Sequence, residues 1–252
     1  MEYKRYTLAE RPELRPQLFD IEQAVWLPFM TQSPVANENW GKLINIFPEY
    51  QTVFVNDEGK VIAGGVTIPF VWDGTLETLP DGWEAVILQG IREHEDGLIP
   101  NAMSALEAVI DPAYQGQGLS TQVIGAMRDI AKSKGYRWLV APVRPTVKPL
   151  YPLTPIERYA AWTQSDGLPF DPWMRVHARL GAEVIAMSPH SMYIPGSVSD
   201  WETWTGLVFP ESGKYVVQGA CQPVTIDVEA DLGVYYDPNV WMRHEVGTGR
   251  ET

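Results

Sequence analysis

Hydrophobic and polar residues follow one another along the chain in patterns whose period changes several times. Residues 3–8 have the composition of a strand, and apolar residues then recur at helical spacing from Pro16 to Trp26. A second helix is predicted from Ala36 to Phe47. Two apolar strands then flank the turn residues Asp57, Glu58 and Gly59, which is the pattern of a β-hairpin.

The second half of the chain alternates between helices and strands that are separated by glycine or proline. A helix is predicted over Trp83–Glu95, a strand over Asn101–Pro112, and a helix that begins near Gly118 and is closed by Gly135. The segment YRWLVAPVRP follows as a strand, and a helix that opens at Asp171 ends at Gly181 before another strand.

This order of elements predicts one α/β domain with a mixed, largely antiparallel central sheet flanked by helices. A doubly wound parallel sheet is excluded because hairpins occupy positions where crossover helices would be needed. We expect a single domain over residues 1–252, with a core of about residues 1–188. Residues 145–173 are expected to form a proline-rich insertion, and residues 189–252 a C-terminal β extension.

The composition narrows the classes of partner. The 252 residues include 32 acidic and 19 basic side chains, and the formal net charge of −13 argues against nucleic acid, whose phosphates need a basic face. The same negative field would attract a cationic small substrate, although an acidic surface also simply maintains solubility. No apolar run approaches the ~20 residues that cross a bilayer, and the first residues lack the apolar middle of a secretory signal.

Cysteine usage completes the picture from composition. The single cysteine, Cys221, excludes an intramolecular disulfide and a cysteine metal cluster. We therefore expect a cytoplasmic protein with no metal and no membrane partner. The sequence leaves open whether the protein forms a homodimer.

A glycine-rich turn lies where the strand that ends at Asp111 meets the next helix. It reads Gln115-Gly116-Gln117-Gly118-Leu119-Ser120, whereas a chain reversal alone needs only one glycine. The first amides of a helix lack an acceptor and carry partial positive charge, and glycines leave them open to an anion. The turn has the properties of a phosphate cradle, although such a turn can also bind nothing. It matches neither the Walker A pattern nor the dinucleotide fingerprint.

The turn resembles the coenzyme A motif of the GNAT acyl-CoA N-acyltransferases, which reads Gln/Arg-x-x-Gly-x-Gly/Ala after an apolar strand. The element order from Tyr3 to about Ser188 is similar to that family as well. The resemblance implies acetyl-CoA or another short acyl-CoA as co-substrate, turn amides that hold its pyrophosphate, and splayed central strands that admit the acyl group. The residues implied in coenzyme binding are Ala108, Val109, Ile110, Gln115, Gly116, Gln117, Gly118, Leu119, Ser120 and Thr121.

The resemblance also implies a position for the general acid. In the family, a tyrosine four residues before a helix-closing glycine commonly protonates the departing thiolate. In the segment RVHARLGAEVI that position is held by His177. Because an imidazolium can donate a proton to a thiolate, His177 is predicted to be the acid; the alternative is a structural or helix-capping histidine.

No general base stands out in the sequence. Alignment with the family through Gln115 directs Ser104 and Leu106 toward the acceptor, and Ser104 is expected to position a water molecule. Glu107 is the nearest carboxylate, but strand alternation turns it to the other face unless a bulge intervenes. We therefore favour Glu107 as a polar residue on the covered or edge face.

The acceptor is expected to bind against the long segment from Arg144 to Trp173, which leaves from the end of the splayed strand. The segment is longer than ordinary connections, and its prolines restrict it strongly. An aromatic wall with carboxylates would suit a primary amine, and the candidate liners are Tyr151, Glu157, Tyr159 and Trp162. The alternative is a packed structural loop with its own aromatic cluster.

Three functions stay open from the sequence. The leading one is an N-acyltransferase, foremost an N-acetyltransferase, that transfers the acyl group to a primary amine of a small molecule by direct attack in a ternary complex. The second is a non-catalytic acyl-CoA-binding or sensing domain on the same fold, which the missing tyrosine and the unnamed base favour. The third is a structural or oligomerisation domain whose glycine turn binds nothing.

Overall fold

The computed structural model describes residues 2–247. Within this range the strands β1 to β9 are, in chain order, Tyr3–Thr7, Thr52–Asn56, Val61–Phe70, Ala102–Ile110, Trp138–Val143, Glu183–Gly196, Gly213–Tyr215, Val224–Asp227 and Leu232–Glu245. The α-helices α1 to α7 are Arg15–Val25, Pro34–Ile46, Trp83–Glu95, Leu119–Ser133, Ile156–Ala160, Pro172–Arg179 and Val198–Thr205. Up to residue 181, the predicted helices and strands are present, with ends that differ by a few residues. None of the helices in the described range is long and apolar enough to cross a membrane.

The strands form one mixed sheet. Their order is β1-β2-β3-β4-β5-β9-β8-β7, and β6 pairs with β9 beside this path. Within the described residues, β4 and β5 form the parallel pair and the other neighbours are antiparallel. The predicted fold class, a largely antiparallel sheet flanked by helices, is confirmed.

Helices cover both faces of this sheet, as two consecutive glycines of β3 show. A Cβ atom on Gly64 would collide with Leu18 of α1, and one on Gly65 would collide with Met127 of α4. Because successive residues of a strand face opposite sides, α1 and α4 lie on opposite faces. The two glycines let Leu18 and Met127 pack directly against the backbone of β3.

The C-terminal segment enters the middle of the sheet. Strand β9 pairs with β5 from Trp138↔Glu245 to Val143↔Val240, and it pairs with β6 along its other edge. The core expected from the sequence ended near residue 188 and left this strand in an extension, whereas in the structure β9 is the neighbour of β5. Strand composition was visible there, but the partner of a strand is set by long-range packing that its own residues do not encode.

Two irregularities of β4 create the space for a ligand site. Pairing between β4 and β5 ends at Ser104↔Val140, although β4 continues to Ile110 and β5 to Val143. The two strands therefore separate toward their carboxyl ends, as the resemblance implied. On the other edge of β4, Val66 pairs with Glu107 and Thr67 with Ala105, so that Leu106 is an extra residue in a β-bulge.

Candidate active site

A cavity of about 910 Å³ lies at the opening between β4 and β5. Its walls come from α1, α2 and α3 on one side, and from β4, the glycine-rich turn, β5, α6 and β9 on the other. This volume is at the upper end of the roughly 300–1,000 Å³ of ligand pockets, which suits a site for two substrates.

The glycine-rich turn forms one end of the cavity. Gly116 and Gly118 have φ angles of +75° and +81°, a left-handed conformation that L side chains rarely adopt. A Cβ atom on either glycine would meet nothing within 4 Å, so the space in front of the turn is open. Gln115 and Ser120 line the cavity, and α4 begins at Leu119, so that the unpaired first amides of this helix lie at the same end. The open backbone and the helix N-terminus fit a pyrophosphate group.

The other residues implied in coenzyme binding divide into three groups. Ala108 and Ile110 line the cavity, and beyond Ser104 the β5-facing edge of β4 has no strand partner within the described residues. The side chains of Val109 and Leu119 are buried in the hydrophobic core, so only their backbone could contact a coenzyme. Gly116, Gln117, Gly118 and Thr121 are exposed at the turn.

Glu107 faces the cavity because of the bulge at Leu106. The extra residue changes the phase of the strand, and Glu107 lines the cavity together with Ala105, Leu106 and Ala108. The Leu106 carbonyl accepts a hydrogen bond from Trp83 Nε1 at 2.8 Å, while Trp26 Nε1 donates to Glu107 Oε1 at 2.5 Å. The favoured sequence interpretation of Glu107, a polar residue turned away from the site, is therefore wrong; a bulge was the one condition that would reverse it.

The electrostatic surroundings of Glu107 favour its neutral form. The side chain is only 9% exposed, and burial is the main cause that raises its pKa well above the usual range. The neighbouring Glu22 carboxylate raises the pKa further, while the hydrogen bond from Trp26 and the charge of Arg15 oppose the shift.

Two ion pairs occupy the same cavity. The Arg15 guanidinium binds both oxygens of Glu22 at 3.1 Å, and Arg144 Nε lies 3.0 Å from Asp237 Oδ1. Of the three carboxyls that line the cavity, Glu107 is the one without a direct cationic partner among residues 2–247. Its Oε2 atom is buried and has no hydrogen-bond partner in that range.

An aromatic wall faces this carboxyl from the helices. Trp26, Trp40 and Trp83 line the cavity, with Phe19 near the opening. Trp40 and Trp83 stack with their ring centroids 5.5 Å apart. Aromatic faces attract cations, so the wall and the carboxyl together suit a positively charged acceptor.

Ser104 does not reach the cavity. It is fully buried, and its Oγ donates a long hydrogen bond of 3.4 Å to the Ala105 carbonyl. The reason is its place in the paired part of β4, opposite Val140, where the strands have not yet separated. The predicted role of Ser104 in positioning a water molecule is therefore not supported.

The four predicted acceptor residues also lie elsewhere, since Tyr151, Glu157, Tyr159 and Trp162 do not line the cavity. Tyr151 and Trp162 pack edge to face with centroids 5.0 Å apart, and Tyr159 is buried beside them with its hydroxyl donating to Asp171 at 2.9 Å. The middle of the segment is a packed loop with its own aromatic cluster, which was the alternative interpretation, while its ends reach the cavity through Arg144, Thr146 and Trp173. Contacts between aromatic rings are favourable in themselves, and they hold these side chains within the loop.

His177 does line the cavity, but in a neutral form. Its ring is buried, its Nδ1 lies 3.0 Å from Nε2 of His244, and it packs against Trp173. Burial first, and the proximity of His244 second, lower the pKa of His177 to about 3. The imidazolium predicted from the sequence is therefore absent near neutral pH, because a buried positive charge without a carboxylate partner is unfavourable.

Comparisons with known proteins agree with this geometry. The family model described as the Acetyltransferase (GNAT) family matches residues 15–153. The chain is 32% identical over 275 residues to Arginine N-acetyltransferase avaD of Aspergillus versicolor. This alignment covers 97% of this chain and 94% of the relative.

Two solved structures share the fold. The loading GNATL domain of CurA from Lyngbya majuscula superposes with a TM-score of 0.64 and 17% identity over 98% of both chains. The GphF GNAT-like decarboxylase in complex with isobutyryl-CoA gives a TM-score of 0.58 and 14% identity over 98% of this chain and 100% of the other. The family match and the 32% identical relative carry the assignment beyond fold. The chain therefore belongs to the GNAT acetyltransferase family and is an acyl-CoA-dependent N-acyltransferase.

Proposed function

We propose that this protein is an N-acetyltransferase that transfers the acetyl group of acetyl-CoA to a nitrogen of a cationic small molecule of the arginine class, by direct attack in a ternary complex. The observation that carries the proposal is a single cavity that joins the glycine-rich turn to a buried carboxyl within a tryptophan wall. The relative named as an arginine N-acetyltransferase supports this acceptor class.

The residues that would hold the coenzyme are the turn amides from Gln115 to Thr121 and the free edge of β4 from Ala108 to Ile110. The bound coenzyme supplies an activated acyl group. The chain contributes the open backbone of the turn, the positive end of α4 and a strand edge that is free to form hydrogen bonds.

Glu107 is the residue proposed to take the proton of the acceptor. A protonated nitrogen has no lone pair, so the acceptor must lose a proton before or during attack. Glu107 is the cavity carboxyl that no arginine of the described chain holds, and a carboxylate with a raised pKa is a stronger base than an ordinary one. Because His177 is neutral, the coenzyme sulfur, with a thiol pKa near ~8.5, takes its proton from solvent in this scheme.

The test is an acceptor panel with acetyl-CoA, in which thiol release is measured and the products are weighed by mass spectrometry. Arginine should be acetylated. Nα-acetylarginine and citrulline then locate the accepting nitrogen, since the first keeps only the guanidinium and the second only the α-amine. A folded protein that binds acetyl-CoA but releases no thiol with any arginine-class cation would contradict the proposal.

The variant Glu107→Gln connects this activity to the cavity. Loss of a general base typically lowers the rate by roughly 10²–10⁴-fold, and we expect kcat to fall by that order. Glu38→Gln makes the same change at an exposed position of α2 and serves as the matched control. Equal kcat values for the two variants would remove Glu107 from the mechanism.

A further inference from the structure

The charges that line the cavity balance without Glu107. Arg15 pairs with Glu22, and Arg144 pairs with Asp237, so these four side chains together are neutral. His177 adds no charge near neutral pH, because burial lowers its pKa to about 3. The net charge of the site therefore depends on whether Glu107 is protonated.

Glu107 faces a second buried carboxyl. Glu22 on α1 is only 4% exposed, and both of its oxygens already accept hydrogen bonds from Arg15. Trp26, four residues further along, donates to Glu107 Oε1, which leaves Oε2 without a hydrogen-bond partner in the described chain. Burial and the charge of Glu22 both raise the pKa of Glu107, so the free protein favours the protonated form of Glu107.

We propose, on the basis of the proposed function, that the cationic acceptor binds by displacing the proton that Glu107 carries in the free protein. One proton then leaves the site for each acceptor that enters, and the site is neutral in both states. This exchange avoids the large cost of burying an unpaired charge, which would arise if the cation entered a neutral site or if Glu107 ionised alone. It also leaves Glu107 as a carboxylate beside the acceptor nitrogen, in the form that can accept the next proton.

The exchange predicts how acceptor affinity depends on pH. Below the raised pKa of Glu107, the association constant of a monocation should rise about tenfold for each pH unit, and above it the constant should level off. His177 stays neutral over this range. Glu107 is therefore the cavity group whose titration is coupled to binding.

The experiment is calorimetric titration of arginine into the protein, with coenzyme A present in place of acetyl-CoA so that no transfer occurs. The titration is repeated at several pH values between 5 and 8, each in buffers of different ionisation enthalpy, and the slope of the observed enthalpy against that ionisation enthalpy gives the number of protons released. For the parent and for Glu38→Gln we expect proton release that approaches one as the pH falls below the raised pKa of Glu107, and for Glu107→Gln close to none at any pH, with weaker binding. Glu22→Gln should also release less than the parent, because it removes the charge that holds the proton on Glu107.

The outcomes separate this inference from the proposed function. Arginine that is acetylated and binds with a buffer-independent enthalpy would overturn the proton exchange and leave the proposed function intact. Equal proton release by the parent and Glu107→Gln would likewise overturn it, because the proton would come from another group. If arginine were neither bound nor acetylated, the proposed function itself would fail and the exchange with it.

Discussion

At the scale of single residues, burial displaces the pKa values of Glu107 and His177 in opposite directions. A charged form is unfavourable away from water, so burial raises the pKa of the carboxyl and lowers that of the imidazole. The result is a site that favours the neutral acid at Glu107 and holds a neutral ring at His177, in place of the imidazolium that the family resemblance implied.

The buried histidine pair should make folding stability sensitive to mild acid. The pKa is lowered to about 3 for His177 and to about 4 for His244, mainly by burial in both cases. Because the unfolded histidines titrate near ~6.5, the stability is fully present above that pH and is lost as pH falls toward the folded values. Each histidine adds a slope of up to about 1.4 kcal/mol per pH unit to the free energy of unfolding.

The measurement is urea unfolding at pH 7.5, 6 and 5. The slope should be smaller in His244→Gln than in the parent, since one group that gains a proton on unfolding is gone. His94→Gln, at an exposed position of α3, controls for the loss of a histidine. Equal slopes for the parent and His244→Gln would contradict a buried neutral pair.

At the scale of elements, the contrast between the glycine-rich turn and β4 shows which features were predictable. The turn is local, because Gly116 and Gly118 supply the left-handed φ angles and α4 starts directly after them. The bulge at Leu106 depends on pairing with β3, some forty positions earlier, so alternation within β4 assigned Glu107 to the wrong side. Ser104 stays out of the cavity because it is still paired with β5. The aromatic loop was ambiguous for a similar reason, since its composition does not say whether the rings face one another or a ligand.

The turn and the start of α4 allow a substitution that separates ligand binding from stability. Ser120 is the second residue of α4 and lines the cavity. Ser120→Asp places a negative charge in the first turn of the helix, where it should stabilise the fold by about 0.3–1 kcal/mol. The same charge would repel a pyrophosphate group and so weaken coenzyme binding. Ser120→Asn is the neutral isosteric control. Gly118→Val is less suitable, because valine would be strained at a φ of +81° whatever the ligand does.

We expect Ser120→Asp to bind acetyl-CoA and coenzyme A at least tenfold more weakly than Ser120→Asn, while its melting temperature is equal or higher. Calorimetric titration gives the affinities, and thermal unfolding without ligand gives the stability. A Ser120→Asp protein with the affinity of the control would mean that the coenzyme phosphates do not lie at this turn.

At the scale of the whole molecule, the last strand completes both the sheet and the site. Strand β9 contributes Asp237 and Asn239 to the cavity and His244 to the histidine pair. In sequence it lies about 200 residues after α1, which lines the same cavity. The family motif indicated a shared fold up to about residue 188. It did not indicate that the neighbour of β5 comes from the far end of the sequence, since sequence distance carries no information about which strands pair.

A fragment of residues 1–188 should therefore not fold cooperatively. It lacks β9, and with it the buried side chains of Tyr235, Val240, Trp241 and Met242. Each large apolar side chain contributes roughly 1.5–3 kcal/mol when fully buried, and the sum is comparable with the total stability of about 5–15 kcal/mol for an ordinary domain. The loss of backbone pairing along β5 and β6 adds to this deficit.

A chain that ends at residue 247 retains every described element and is the matched control. Thermal unfolding followed by circular dichroism should show one sharp transition for the control and none for the fragment. A sharp transition in the fragment would show that residues 1–188 form an independent core and that β9 is an addition to it.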